Sequence, residues 1–161
     1  MKRLAVAVLA LAAALPAGAQ QYASHGDYDY RVCQPAMTDQ GKRVVEDACG
    51  VLRAPSFTGA RFASLSELES ARAEREAFTD QVDTYGACVS AFINSYRRPG
   101  APADSPAPDQ AACAHSWAED QATQAVRDFG KACVDFSNRS MVDRSLSPWS
   151  GECYPVVSGR G

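Results

Sequence analysis

The most regular pattern of hydrophobic positions in this chain begins just after Ser64. Apolar and aromatic side chains recur there at steps of three and four residues, as expected for one face of an α-helix. Ser64 and Glu67 form a capping box ahead of the pattern. We therefore predict a long helix that ends near Arg98 and packs its apolar face on a second helix. The positions on that face are Leu68, Ala71, Phe78, Val82, Tyr85, Val89, Phe92 and Tyr96, interrupted only by Arg75.

A second pattern with the same period follows a proline-rich segment, residues 99–108, which we interpret as a loop. The second helix is expected to begin at Pro108 or Asp109, because proline suits the first helical position. Small side chains dominate its apolar face, so it can approach the large side chains of the first helix closely. The sequence thus predicts a long antiparallel helical hairpin. The second face consists of His115, Ala118, Ala122, Ala125, Phe129, Ala132 and Phe136.

The parts of the chain outside the hairpin have weaker patterns. Residues 38–52 place apolar side chains on one helical face and predict a short N-terminal helix. Polar residues 20–37 before it are expected to form a flexible arm, and residues 57–63 after it a linker. Residues 138–161 have no period and predict an irregular tail. The predicted fold is a single all-α domain over residues 38–161.

The first nineteen residues have the features of a secretory signal peptide. Lys2 and Arg3 precede an unbroken apolar run over residues 4–15, and small residues follow at 17–19. The run is shorter than the roughly 20 residues that cross a bilayer, and no later stretch is apolar enough to span a membrane. We predict cleavage before Gln20 and a bacterial periplasmic or secreted protein. Loss of two positive charges with this segment changes the formal net charge from −3 to −5.

All six cysteines follow the predicted cleavage site. An even number of cysteines in an exported chain is typical of a disulfide framework. Their wide spacing provides neither the close ligand pairs of a zinc site nor a C-x-x-C redox motif. We predict three disulfides and no metal or cofactor. The cysteines are Cys33, Cys49, Cys88, Cys113, Cys133 and Cys153.

The hairpin also predicts how the cysteines pair. Cys88 lies twelve residues before Gly100 and Cys113 thirteen after it, so a turn there brings both to the same height. We predict that they are bonded, since facing helices allow the required Cα separation. Cys133 falls opposite Leu68 and needs another partner. For the remaining four cysteines three pairings stay open, and those favoured are Cys49–Cys133 and Cys33–Cys153.

Candidate catalytic residues are few. His115 and Glu119 lie one helical turn apart and could act as a general base, but we interpret His115 as a partly buried helix residue. His25, Asp27 and Asp29 offer metal donors, but ordering a flexible arm around a metal is costly. The chain has no G-x-S-x-G nucleophile motif and no glycine-rich phosphate loop. We therefore predict no catalytic, cofactor-binding or metal site, and no enzymatic activity.

Charge and shape favour a protein partner. The acidic net charge opposes nucleic-acid binding, which calls for a basic surface. We expect a non-catalytic helical module that binds another envelope or secreted protein, or has a structural role in the envelope. The alternative is a secreted inhibitor that presents loop 99–108 to a hydrolase, the Cys88–Cys113 bridge making the loop rigid. Arg75 either extends outward from the helix or marks where a partner or the short helix enters.

Overall fold

A computed structural model describes residues 33–102 and 104–155 of the protein. This part of the chain folds into three helices and has no strand, which confirms the predicted all-α class. The helices are α1 (Pro35–Cys49), α2 (Leu65–Ser95) and α3 (Ala107–Val142). The predicted signal peptide and residues 20–32 of the predicted arm lie outside the described residues.

Helix α2 begins where its local sequence dictates. The Ser64 hydroxyl accepts a hydrogen bond from the Glu67 backbone N–H, 3.2 Å away. The Glu67 carboxylate accepts in return from the Ala63 N–H, one residue earlier than in a standard capping box. Towards the loop, residues 96–98 form tighter i→i+3 hydrogen bonds instead of continuing the helix. The helix therefore ends three residues before the predicted boundary.

Helices α2 and α3 pack against each other in antiparallel directions around the turn at Gly100, where φ is 89°. Two contacts define the alignment. The Arg75 guanidinium lies 4.7 Å from the centre of the Phe129 ring, and Gly86 faces the His115 imidazole. Large buried side chains of α2 meet a buried face of α3 in which alanine is the most frequent residue, as the sequence predicts. The largest fully buried side chains in the described part include Phe129, Phe136, Leu68 and Val89.

Helix α1 begins and ends three residues earlier than predicted. Pro35 occupies its first turn, where the missing N–H costs nothing. It packs mainly on α3 beside the loop. Gly41 permits this close approach, because a Cβ there would lie 1.9 Å from the Gln110 carbonyl oxygen. Lys42 adds a cation–π contact, with its Nζ 4.6 Å from the Trp117 ring centre.

The segment between α1 and α2, predicted as a linker, belongs to the core. Phe57 and Phe62 are each only 6% exposed. Their ring centres lie 5.8 and 5.9 Å from that of Phe129, at the end of the hairpin away from the loop. The Thr58 hydroxyl donates a hydrogen bond to Asp128 Oδ2, 2.8 Å away. Arg139 Nη2 donates one to the Phe62 carbonyl oxygen, 2.7 Å away. Two isolated phenylalanines produce no period, so the sequence pattern did not reveal their burial.

The described residues after α3 form an irregular segment that returns along the hairpin. Cys153 bonds Cys133 of α3. The Tyr154 ring then lies directly on Gly130, where a Cβ would be 2.2 Å from the ring. Trp149 lies over Arg72 of α2, with 5.6 Å between the guanidinium carbon and the ring centre. This segment therefore contacts both long helices.

All six cysteines form disulfides, as predicted, but none of the three predicted pairings is correct. Cys88 and Cys113 are not bonded to each other, and neither Cys49–Cys133 nor Cys33–Cys153 forms. The three observed bridges are Cys33–Cys113, Cys49–Cys88 and Cys133–Cys153.

Cys88 and Cys113 lie at the same height along the two helices, but their side chains point in different directions around the helix axes. The contact of Gly86 with His115 confirms that the two helices are level near Cys88 and Cys113. Each residue advances about 100° around a helix, since a turn holds 3.6 residues. Cys88 is one residue from Val89 of the buried face and therefore points to one side of it. Helix α1 supplies the actual partners, with Cys33 just before its start and Cys49 at its end.

Candidate functional site

Two of the open clefts along α2 share Asp80 in their linings. One cleft, of about 460 Å³, lies between α2 and the segment after α3. We call it the Arg75 cleft; it is lined by Arg72, Arg75, Glu76, Thr79, Asp80, Glu152, Tyr154 and Pro155. The other, of about 510 Å³, lies between α2 and the end of α1. We call it the Cys49–Cys88 cleft; it is lined by residues 48–52, Asp80, Gln81, Thr84, Tyr85 and Cys88.

Arg75 is a buried cation in the first cleft and not an outward-extending side chain. It is only 5% exposed. Its Nη2 donates to Glu76 Oε1 at 3.0 Å, and its guanidinium stacks on Phe129. Its Nη1 has no hydrogen-bond partner in the described structure. The ring face and the carboxylate together offset the cost of burying the charge. The prediction that the Arg75 side chain extends outward was therefore wrong. Nor does the short helix α1 enter at Arg75, since the end of α1 lies beside residues 80–88 of α2.

The mouth of the Arg75 cleft combines charges of both signs with an aromatic ring. Arg72 Nε lies 3.8 Å from Oε1 of Glu76, one helical turn along α2. The Arg72 guanidinium also stacks on the Trp149 ring. Glu152 adds a carboxylate from the opposite wall. Tyr154 is 48% exposed although its ring rests on Gly130. Arginine and tyrosine at a half-open cleft are typical of surfaces that bind proteins.

The second cleft is more apolar. Val51, 65% exposed, and Leu52 form one wall, and both cysteines of the Cys49–Cys88 bridge line it. Tyr85 is 4% exposed there, and burial raises the pKa of its phenol. The Cys49–Cys88 bridge joins the end of α1 to α2 at this cleft.

The surface of α2 between the clefts carries small and acidic side chains. We call it the α2 face; its exposed residues are Ala73, Glu76, Ala77, Asp80, Asp83, Thr84 and Ala87. Its small side chains leave the helix backbone accessible to another polypeptide, and its acidic side chains give the surface a negative charge. The face and the two clefts form the candidate site.

His115 lies outside this site. Its side chain is 34% exposed, and its Nε2 is 3.7 Å from Glu119 Oε1. The imidazole packs on Gly86, where a Cβ would lie 2.5 Å from Nε2. The residue is thus partly buried in the hairpin, as interpreted from the sequence. Within residues 33–102 and 104–155, no three His, Cys, Asp or Glu side chains are grouped to hold a metal. His25 lies outside the described residues.

Sequence reasoning missed Glu152 and Tyr154. Both were assigned to an irregular tail, and the only available signal was their position beside Cys153. A disulfide fixes its sequence neighbours against the element that carries the partner cysteine, here α3. The Cys88–Cys113 bridge predicted behind loop 99–108 does not form, so the inhibitor alternative loses the pairing on which it was based.

No protein-family model matches the chain, and neither a curated protein nor a solved structure matches it. Among the described helices, none combines the length and hydrophobicity needed to span a membrane. The three disulfides are typical of an oxidising compartment, periplasmic or extracellular.

Proposed function

We propose that this protein is a non-catalytic helical module that binds another envelope or secreted protein through the α2 face. The observation that carries the proposal is the position of Asp80. It is exposed on the α2 face and lines both flanking clefts. A polypeptide seated over Asp80 therefore reaches the arginine and tyrosine of one cleft and the apolar wall of the other.

The dimensions favour a macromolecule over a small ligand. Helix α2 has 31 residues, which gives a length of about 46 Å at 1.5 Å per residue. A stable protein interface needs about 800 Å² from each partner, so a long helix face is better suited to a protein than a single cleft would be. Small-molecule pockets enclose most of their ligand, whereas these clefts are open.

Rigidity supports the same function. Cys49–Cys88 links α2 to α1, and Cys133–Cys153 links α3 to the segment that forms the far wall of the Arg75 cleft. A surface that is already ordered loses less conformational entropy on binding. Periplasmic or secreted location is part of the proposal; its support is the three disulfides and the signal-peptide pattern of residues 1–19.

Site-specific photo-crosslinking in envelope extract tests the proposal. A photoreactive residue replaces Ala77 on the α2 face, Ala112 on α3, or Arg98 at the loop tip; all three side chains are exposed. We expect a discrete protein adduct from position 77 and none from position 112. The variant Asp80→Arg should abolish that adduct, while the matched control Asp120→Arg on α3 should leave it intact.

The same experiment tests the inhibitor alternative. An adduct from position 98 alone, unaffected by Asp80→Arg, would transfer the binding site to the loop and contradict the proposal. Equal labelling from positions 77 and 112 would indicate non-specific contact and would also contradict it.

A further inference from the structure

The three disulfides differ in how exposed their cysteine residues are. Cys113 is 2% exposed and Cys133 is fully buried, so two bridges each have one cysteine inside the core. In the Cys49–Cys88 bridge both cysteines are half-buried, and both line the same open cleft. An external thiol can therefore approach this bridge from solvent without prior unfolding.

The cleft around the bridge has room for a reactant. Its volume is about 510 Å³, and because the cleft is open, a thiol compound can reach its lining from solvent. The side chain of Val51 stands at its edge and is 65% exposed. The apolar Leu52 and Ala48 on the same wall suit the hydrocarbon part of a thiol compound or a peptide segment bearing one.

We propose that Cys49–Cys88 is a site of thiol–disulfide exchange, with a dithiol as the co-reactant. A thiolate of the dithiol attacks one sulfur of the bridge, the S–S bond breaks, and the other sulfur leaves as a thiolate and takes up a proton. The second thiol of the dithiol then displaces the mixed disulfide. Two electrons and two protons pass to Cys49 and Cys88, and the dithiol becomes a disulfide.

Reduction of this bridge releases only one end of α1. Cys33–Cys113 still ties the start of the helix to α3. Gly41 remains in contact with Gln110, and Lys42 with Trp117. The C-terminal end of α1, together with the Val51–Leu52 wall, becomes free to separate from α2. The reaction therefore reshapes one cleft beside the α2 face and leaves the hairpin closed.

The direct test is stepwise reduction of the folded protein followed by rapid alkylation and peptide mass mapping. Increasing concentrations of dithiothreitol are applied without denaturant. We expect Cys49 and Cys88 to be alkylated at least tenfold faster than the other four cysteines. The rate should rise in proportion to thiol concentration, as for direct attack. A different bridge opening first, or all three opening together at a rate independent of thiol concentration, would overturn the proposal.

Charge variants at Val51 show whether attack occurs through the cleft. Val51→Glu should slow reduction by glutathione about threefold at low salt, since one charge about 7 Å away in water contributes about 0.6 kcal/mol. Val51→Lys should accelerate it by a similar factor. Both effects should shrink at high salt and with cysteamine, whose thiolate form has no net charge.

The control is Val142→Glu, at an 84% exposed position at the end of α3 and outside the cleft. It should leave the rate unchanged. Equal rates for all three variants with glutathione at low salt would exclude entry past Val51 and contradict the proposed site. Because these rates are measured on the isolated protein, they do not depend on whether the α2 face binds a partner.

Discussion

The two ends of the helical hairpin are held together in different ways. Near the loop, the fully buried residues of α3 are Ala111, Ala114 and Ala118, and two disulfides fasten α1 across them. At the other end, which we call the aromatic end, Phe57 and Phe62 pack on Phe129. The Cys133–Cys153 disulfide attaches the segment after α3 there. Burying a phenylalanine contributes about 1.5–3 kcal/mol, and an alanine much less. Two of the three disulfides thus lie at the end where α3 buries small side chains.

Removing one disulfide from each end tests this comparison most strongly. Replacing Cys33 and Cys113 by serine removes a bridge between residues 80 apart in sequence. Replacing Cys133 and Cys153 removes one between residues 20 apart. Because the intact Cys49–Cys88 bridge shortens the first loop to about 42 residues (80 − 39 + 1), the chain-entropy model gives losses of about 4 and about 3 kcal/mol. Guanidinium unfolding with the other bridges intact measures both. A larger loss at the aromatic end would contradict the proposed division.

Truncating one buried side chain at each end should give the opposite order. Phe129→Ala removes the ring that contacts Phe57, Phe62 and the Arg75 guanidinium, with an expected loss of about 3–5 kcal/mol. Val89→Ala, also at a fully buried position but near the loop, should cost about 1–2 kcal/mol. Urea unfolding followed by circular dichroism measures the loss of stability in each variant. Equal losses would show that aromatic packing is not concentrated at one end.

A smaller effect is expected at the contact of α1 with α3. The variant Gly41→Ala forces a methyl group against the Gln110 backbone carbonyl, which cannot move as a flexible side chain would. Overpacking of this kind costs about 1–3 kcal/mol. Ala36→Ser, at an exposed position of the same helix, is the control and should change stability by less than about 0.5 kcal/mol. Hydrogen exchange of α1 amides should report the loosening locally, and unchanged protection in Gly41→Ala would argue against close packing.

The smallest effect concerns Asp128 at the aromatic end. Hydrogen bonds from Gln124 and Thr58 lower the pKa of this carboxyl below its usual value. Its native pKa is below the unfolded one, so the stabilisation is complete above the unfolded value near 3.9. It is lost as the pH falls through the native pKa. The stability difference between the wild type and Asp128→Asn should therefore be largest near neutral pH and shrink in acid. A difference constant from pH 7 to pH 2 would show that ionisation of Asp128 is not involved.

The local sequence determined the elements whose signals are local. Ser64 and Glu67 set the start of α2, because a cap involves only neighbouring backbone groups. The three- and four-residue steps identified the facing sides of α2 and α3, since the period of a helix is the same in any fold. Nearly equal distances from Gly100 correctly placed Cys88 and Cys113 at one height, because the rise per residue of a helix is fixed.

The tertiary structure decided what depends on elements distant in sequence. Whether Cys88 pairs with Cys113 or with Cys49 depends on where α1 lies, and no local pattern encodes that position. Phe57 and Phe62 are buried because Phe129, far along the chain, lies against them. The candidate site arises in the same way. Asp80 is one of several exposed acids on α2, and it lines two clefts only because the end of α1 and the segment after α3 lie on either side of it.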